Sequence, residues 1–269
     1  MTSPTEQYLE GCQRLIDVVG SQQSQIGQAA EWFAESILAG RMVHLFGAGH
    51  SRILAEEMWP RYGSFPGFHP IVELSLTFHN AVVGANGQRQ AMFLEKTSGL
   101  AEQIVRNFDL SSDDSALVAS TSGANAVPIE MAQQFQQRGM RVVAIISKQH
   151  SATSTSTQPQ GLMLSDCADL VLDNGAPEGD ATVHVEGLST PVAPLSTVGG
   201  CMLINAIKAE TAARLTAAGS PPDVLTAASL VGVEESARLF NAGYDEHARR
   251  VAKLYENLGA SPSANEEPS

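Results

Sequence analysis

The chain has 269 residues, 43% of them hydrophobic, and a formal net charge of −13 at pH 7. That length and apolar content suffice to bury a core of ordinary size. The acidic balance argues against nucleic acid, whose phosphates need Lys and Arg, and against anionic membranes.

Tyr8, Leu9, Cys12, Leu15, Ile16 and Val19 recur at helical spacing, and a second helix is predicted over residues 26–38, ending near Gly40. From Arg41 the pattern changes to short apolar runs alternating with helices. Strands are predicted at 43–46, 69–73, 116–119, 142–146 and 170–172, with helices beginning near Ser51, Ala126 and Thr197. Such alternation predicts a parallel sheet covered on both faces, an α/β fold. Residues 76–110 read as helical and interrupt the alternation. Residues 147–160, rich in Ser and Thr, read as a loop, and 180–194 as holding a short β element around 183–186. Residues 230–258 read as helical, and the small, polar, acidic stretch 259–269 as a disordered tail. Residues 1–258 are expected to form a single domain with its core at about 41–215. Cys12, Cys167 and Cys201 lack C-x-x-C spacing and read as free thiols. The start, Met1 to Glu6, has no basic leader and no transmembrane run follows it, so a cytoplasmic location is expected.

Two strand–turn–helix junctions carry the chemistry. Val43-His44-Leu45-Phe46 leads into Gly47-Ala48-Gly49-His50-Ser51, and Ala116-Leu117-Val118-Ala119 into Ser120-Thr121-Ser122-Gly123-Ala124-Asn125. Turns of this kind aim backbone N–H groups, a positive helix end and hydroxyl donors at one point, which suits an anionic group such as phosphate. Gly49 permits close backbone approach, and His50 and Ser51 lie in the same loop. Ser120, Thr121, Ser122 and Asn125 add three hydroxyls and an amide, and Ser147, ending the fourth strand, belongs to the same sheet edge. A dinucleotide fingerprint fails because Arg52 occupies the third glycine position, although Glu73 falls where a ribose-binding acid would sit. There is no Gly-Lys-Ser/Thr P-loop and no metal-ligand spacing.

At these residues the chain resembles the sugar isomerase (SIS) domain family, within a branch whose members are mainly uncharacterised. Ile145-Ile146-Ser147, Ala168-Asp169-Leu170 and Ser196-Thr197 extend the resemblance over about 41–215. It implies a three-layer αβα sandwich with a five-stranded parallel sheet and extra N- and C-terminal helices. It further implies a homodimer or homotetramer with sites near subunit interfaces, a phosphorylated sugar as ligand, and no metal or other cofactor. Ser120, Ser122 and Asn125 would hold the anionic group, with Ser51 near the sugar hydroxyls. Members include aldose–ketose isomerases, etherases, deaminases and sugar-responsive regulators, and isomerisation through an enediol is the leading expectation.

That reaction needs a base beside the substrate carbon and a group that shuttles protons between oxygens. In several members the base is a glutamate ten residues after the first-loop serine. That position is Arg61 here, so Glu57, a turn earlier, becomes a candidate base, alongside Glu95. Arg61 itself is a candidate for a second anionic group or a sulfonate. His79 is a candidate proton shuttle, with His150, His184 and Glu130 in reserve.

Overall fold

Each central strand is an apolar run, and in the computed structural model, which describes residues 2–77 and 88–258, these runs pair as one parallel sheet. Its strands are β1 (Val43–Gly47), β2 (Phe68–Ile71), β3 (Ser115–Ala119), β4 (Arg141–Ile146) and β5 (Leu170–Asp173), ordered β2-β1-β3-β4-β5. Alternation within each run feeds two cores, because successive side chains point to opposite faces. Leu45, Leu117, Val143, Ile145 and Leu172 face one cluster, shared with Phe33 and Ile37 of the helix Gln23–Leu38 and with Leu203, Ile204 and Ile207 of the helix Ser196–Ala217. Phe46, Val118, Val142 and Ile146 face the other, with Ile129, Met131 and Phe135 of the helix Ala126–Gln136. The sheet is thus covered on both sides, as the alternation requires.

The first helix, Pro4–Gly20, starts at a capping box. Ser3 Oγ accepts from the Glu6 N–H at 3.2 Å and Glu6 returns a carboxylate to the Ser3 N–H at 2.7 Å, with Pro4 in the first turn. At Gly199 a Cβ would stand 1.9 Å from the Asn174 carbonyl oxygen, so only glycine lets the long helix Ser196–Ala217 press its first turns onto the chain leaving β5.

Several elements depart from the sequence expectation. Strand β2 stops at Ile71, and Glu73 turns back to accept from the Ser75 N–H (3.1 Å) and hydroxyl (2.8 Å), a local cap rather than a ligand-binding acid. The stretch after β4 opens with a helix, Lys148–Ala152, because Ser147 caps it. The extra β element is a two-stranded antiparallel ribbon, Ala181–Val183 with Val192–Pro194. The interrupting region contains the helices Gln88–Leu94 and Leu100–Val105, and the last region the helices Ala228–Val231 and Val233–Lys253. Residues 78–87 and the predicted tail 259–269 lie outside the described residues.

At the amino ends of the strands a buried polar cluster pins the sheet. Asp114, 1% exposed, accepts from Arg41 at 3.0 and 2.7 Å, from the Met42 N–H at 3.1 Å and from the Ser111 N–H at 2.8 Å. His44 Nε2 stands 3.5 Å from the same carboxylate, and its Nδ1 meets His69 Nδ1 at 2.9 Å. Burial, and then the neighbouring His44 and His247, push the His69 imidazole from the ordinary 6.5 down to about 3. The unfolded chain therefore binds more protons between those values, so this group's contribution to stability is lost as pH falls from about 6.5 towards 3. In a proton NMR titration the His69 ring resonances are expected to stay flat from pH 8 to 5. A midpoint near 6.5 would contradict the packing described.

Candidate functional site

In the strand order β2-β1-β3-β4-β5 the winding of the sheet reverses between the parallel neighbours β1 and β3, and in open α/β sheets ligands bind at such a switch point, beyond the carboxyl ends of the strands. Both small-residue loops emerge there, since Gly47 pairs with Ala119 as the last register position of the two strands. They wall a cavity of about 310 Å³ lined by Gly49, His50, Ser51, Ser120, Thr121, Ser122, Asn125 and Glu95. His150, Asp180, Ser196 and Thr197 complete its polar lining, with Gln88 and Met92 on the side of the helix Gln88–Leu94.

The first loop folds tightly over the strand end. A Cβ on Gly47 would meet the Ser51 carbonyl at 2.5 Å, so a side chain there would displace the turn that carries Gly49, His50 and Ser51. In the second loop, Gly123 adopts φ 63 and its N–H donates to Ser120 Oγ at 3.2 Å, while the Ala124 N–H donates to Ser122 Oγ at 3.3 Å. These bonds use oxygen lone pairs and leave the hydroxyl protons to be donated. The helix Ala126–Gln136 begins immediately after, and its positive end adds to a donor-rich wall that favours an anion.

Glu95 forms the opposite kind of wall. It follows the helix Gln88–Leu94, and its carbonyl accepts from the Val127 N–H at 2.9 Å. Its Oε1 accepts from Asn125 Nδ2 at 2.8 Å, so the amide at the start of the helix Ala126–Gln136 also orients the carboxylate. Burial pushes the Glu95 carboxyl from the ordinary 4.5 up to about 7, with Lys96 pulling weakly the other way. A carboxyl near neutrality can both take and return a proton at physiological pH.

His150 Nδ1 accepts from the Gly179 N–H at 2.9 Å, which leaves the proton of a neutral imidazole on Nε2. Asp180 Oδ1 accepts from the backbone N–H groups of Leu195 (3.1 Å) and Ser196 (2.7 Å), and Oδ2 from the Ser196 hydroxyl at 2.5 Å. The carboxylate thus occupies the amino end of the helix Ser196–Ala217.

Three residues singled out in the sequence stand away from the cavity. Glu57 accepts from Asn205 Nδ2 at 2.7 Å and pairs with Arg61, while its carbonyl accepts from Lys208 Nζ at 2.8 Å. Burial alone would raise its carboxyl, but Asn205 and Arg61 outweigh it and hold the group below its ordinary value, ionised and weakly basic near neutrality. Arg61 is spent on that pair and is exposed. Ser147 is fully buried, donating to the Ala176 carbonyl at 2.7 Å and accepting from the His150 N–H at 3.0 Å, because the short helix after β4 needs a cap. His79 lies outside the described residues. Of the reserves, Glu130 is a tie between segments, accepting from the Gly99 N–H at 2.8 Å and from Gln158 at 3.0 Å.

Beside Gln88 and Met92, the cavity brings in Asp180, Ser196 and Thr197, none of them a sequence candidate for the site. Ser196-Thr197 did stand out as a helix opening, but Asp180 carries no local signal, since it reaches Ser196 across the intervening ribbon. Among the described residues, no group of three or more His, Cys, Asp or Glu side chains is placed to hold a metal ion, and no helix is long and apolar enough to cross a membrane.

A five-stranded parallel sheet covered by helices on both faces, with a donor-rich cavity at its switch point, defines an α/β protein. The SIS domain family model matches residues 7–147, and the chain belongs to that family. A UPF0309 protein of Listeria innocua is 32% identical over 252 residues, covering 93% of this chain and 98% of the relative. A UPF0309 protein of Brucella anthropi is 35% identical over 228 residues, covering 84% and 90% respectively. Among solved structures, a phosphoheptose isomerase from Francisella tularensis aligns over 76% of this chain and 93% of its own length, at 13% identity and a TM-score of 0.48.

Proposed function

We propose that this protein is an aldose–ketose isomerase acting on a phosphorylated or sulfonated sugar in the cytoplasm, with no metal or other cofactor. The observation that carries this reading is the pairing of Asn125 with Glu95. A carboxyl with a pKa of about 7 is held in the same cavity as a hydroxyl- and amide-lined anion wall.

With the anionic group against Ser120, Thr121, Ser122 and the start of the helix Ala126–Gln136, the sugar's reacting carbons extend towards Glu95 and His150. The Glu95 carboxylate takes the proton from C2 of the open-chain aldose as the C1=C2 bond forms, and His150 Nε2–H gives its proton to O1. The resulting enediol returns the O2 proton to His150, the C2=O bond forms, and Glu95 delivers its proton to C1. Both side chains end as they began, and the sugar has become its ketose. We further propose a homodimer or homotetramer with the cavity near a subunit boundary. Support comes from Met92, which lines the cavity, and Phe93, which is 72% exposed beside it.

The test is thermal-shift screening against sugar phosphates and sulfosugars, followed by proton NMR of each stabilising compound in D₂O. A ligand of the folded state raises the melting temperature by mass action. Deuterium entering at the carbon beside the carbonyl, together with conversion to the partner ketose or aldose, is the expected result. Stabilisation with neither exchange nor conversion by any compound would instead assign a sugar-sensing role.

A further inference from the structure

The cavity has two chemically unlike ends, and the second is set by a side chain that the isomerisation scheme does not use. At one end, hydroxyls, an amide and a helix amino terminus present donors. At the other, the 22-residue helix Ser196–Ala217 would offer a second anion site at its own amino terminus, but Asp180 already fills it. The Asp180 carboxylate accepts three hydrogen bonds, so of about four lone-pair positions one remains for a ligand. The Ser196 hydroxyl, having donated to Asp180, faces a ligand as an acceptor. That end therefore suits hydroxyl or amine donors and repels a second anion.

We propose that Asp180 is a specificity-determining residue that restricts this cavity to sugars with a single anionic group and excludes bisphosphorylated ones. The inference rests on the anionic-sugar reading above and adds to it the number of anionic groups. The chain's own carboxylate takes the place that a second phosphate would need, and like charges held a few ångströms apart in a partly desolvated cavity repel strongly.

Asp180→Asn isolates the charge. The amide oxygen can still accept from the Leu195 and Ser196 N–H groups, and the amide nitrogen can donate to the Ser196 hydroxyl. Asparagine is also at home at the positive φ of 58 that Asp180 adopts. Asp180→Ser is the second variant, removing the charge with a smaller cap. Calorimetric titrations would pair glucose 6-phosphate with glucose 1,6-bisphosphate, fructose 6-phosphate with its 1,6-bisphosphate, and ribulose 5-phosphate with its 1,5-bisphosphate. In wild type, the monophosphate that binds is expected to bind at least about tenfold tighter than its bisphosphate. In Asp180→Asn that preference is expected to shrink by about tenfold or more, through a gain for the bisphosphate. Equal binding of both by wild type, or an unchanged ratio in both variants, overturns the role of Asp180 and leaves the anionic-sugar site standing. Failure of wild type to bind either member of every pair overturns the site reading and this inference with it.

Discussion

Glu95→Gln is expected to abolish solvent-hydrogen exchange into the bound sugar while leaving the sugar bound. Removing a positioned general base slows such steps by about 10²- to 10⁴-fold. Glutamine keeps an oxygen for Asn125 Nδ2, now 2.8 Å from Glu95 Oε1, so the cavity wall stays in place. The same variant has a stability signature of opposite sign. Because the folded carboxyl titrates at about 7 and an ordinary one at 4.5, the folded protein binds more protons between those values. Stability therefore falls as pH rises through that window, and the penalty is complete above about 7, amounting to roughly 3 kcal/mol. Glutamine carries no such penalty. Urea unfolding at pH 8 should find the variant more stable than wild type, whereas at pH 4 the two should converge. A variant that retains exchange would remove Glu95 from the reaction, and one that is less stable at pH 8 would contradict its buried setting. In wild type, kcat/KM should rise with pH through about 7, as the base loses its proton.

The largest stability effect is expected at the other edge of the sheet. Asp114→Ala removes the acceptor for Arg41, for the Met42 and Ser111 N–H groups and for the electrostatic contact with His44. Burial alone would raise the Asp114 carboxyl, but the His44 and Arg41 contacts hold it far below the usual carboxylate range. Truncation leaves a mostly covered guanidinium and two N–H groups without that partner, and breaking such a buried pair costs about 3–5 kcal/mol. For a chain of this size that corresponds to a fall in Tm of roughly 10 °C. Asp114 precedes β3 and the cavity loop follows it, a separation of roughly 17 Å along five strand residues. Ligand affinity below the melting transition should accordingly be unchanged. A loss of less than about 1 kcal/mol would show that the cluster is not pinning the sheet.

The strands, their parallel pairing and the two cavity loops were legible in the sequence because their signals are local. Apolar runs a few residues long can bury both faces only in a covered sheet, and Gly47-Ala48-Gly49 and Ser120-Thr121-Ser122-Gly123 can be read as turns without reference to the rest of the chain. Parallel order then brings all the carboxyl ends to one edge, which places Ser51, Ser120 and Asn125 together. Tertiary structure alone decided which acid faces the cavity. Glu57 and Glu95 both lie on or just after a helix, yet Asn205 and Arg61 tie the first away from the cavity while Asn125 draws the second into it. Ser147 ends β4 at the right edge, but its hydroxyl turns inward, because the start of the helix Lys148–Ala152 and the Ala176 carbonyl claim it. Asp180 reaches the cavity only because the ribbon after it returns the chain to Ser196. Turn chemistry and periodicity are fixed by neighbours in sequence. The direction of a carboxylate depends on partners such as Asn205 for Glu57 and Asn125 for Glu95, 148 and 30 residues away, and these become neighbours only when the sheet and its helices pack.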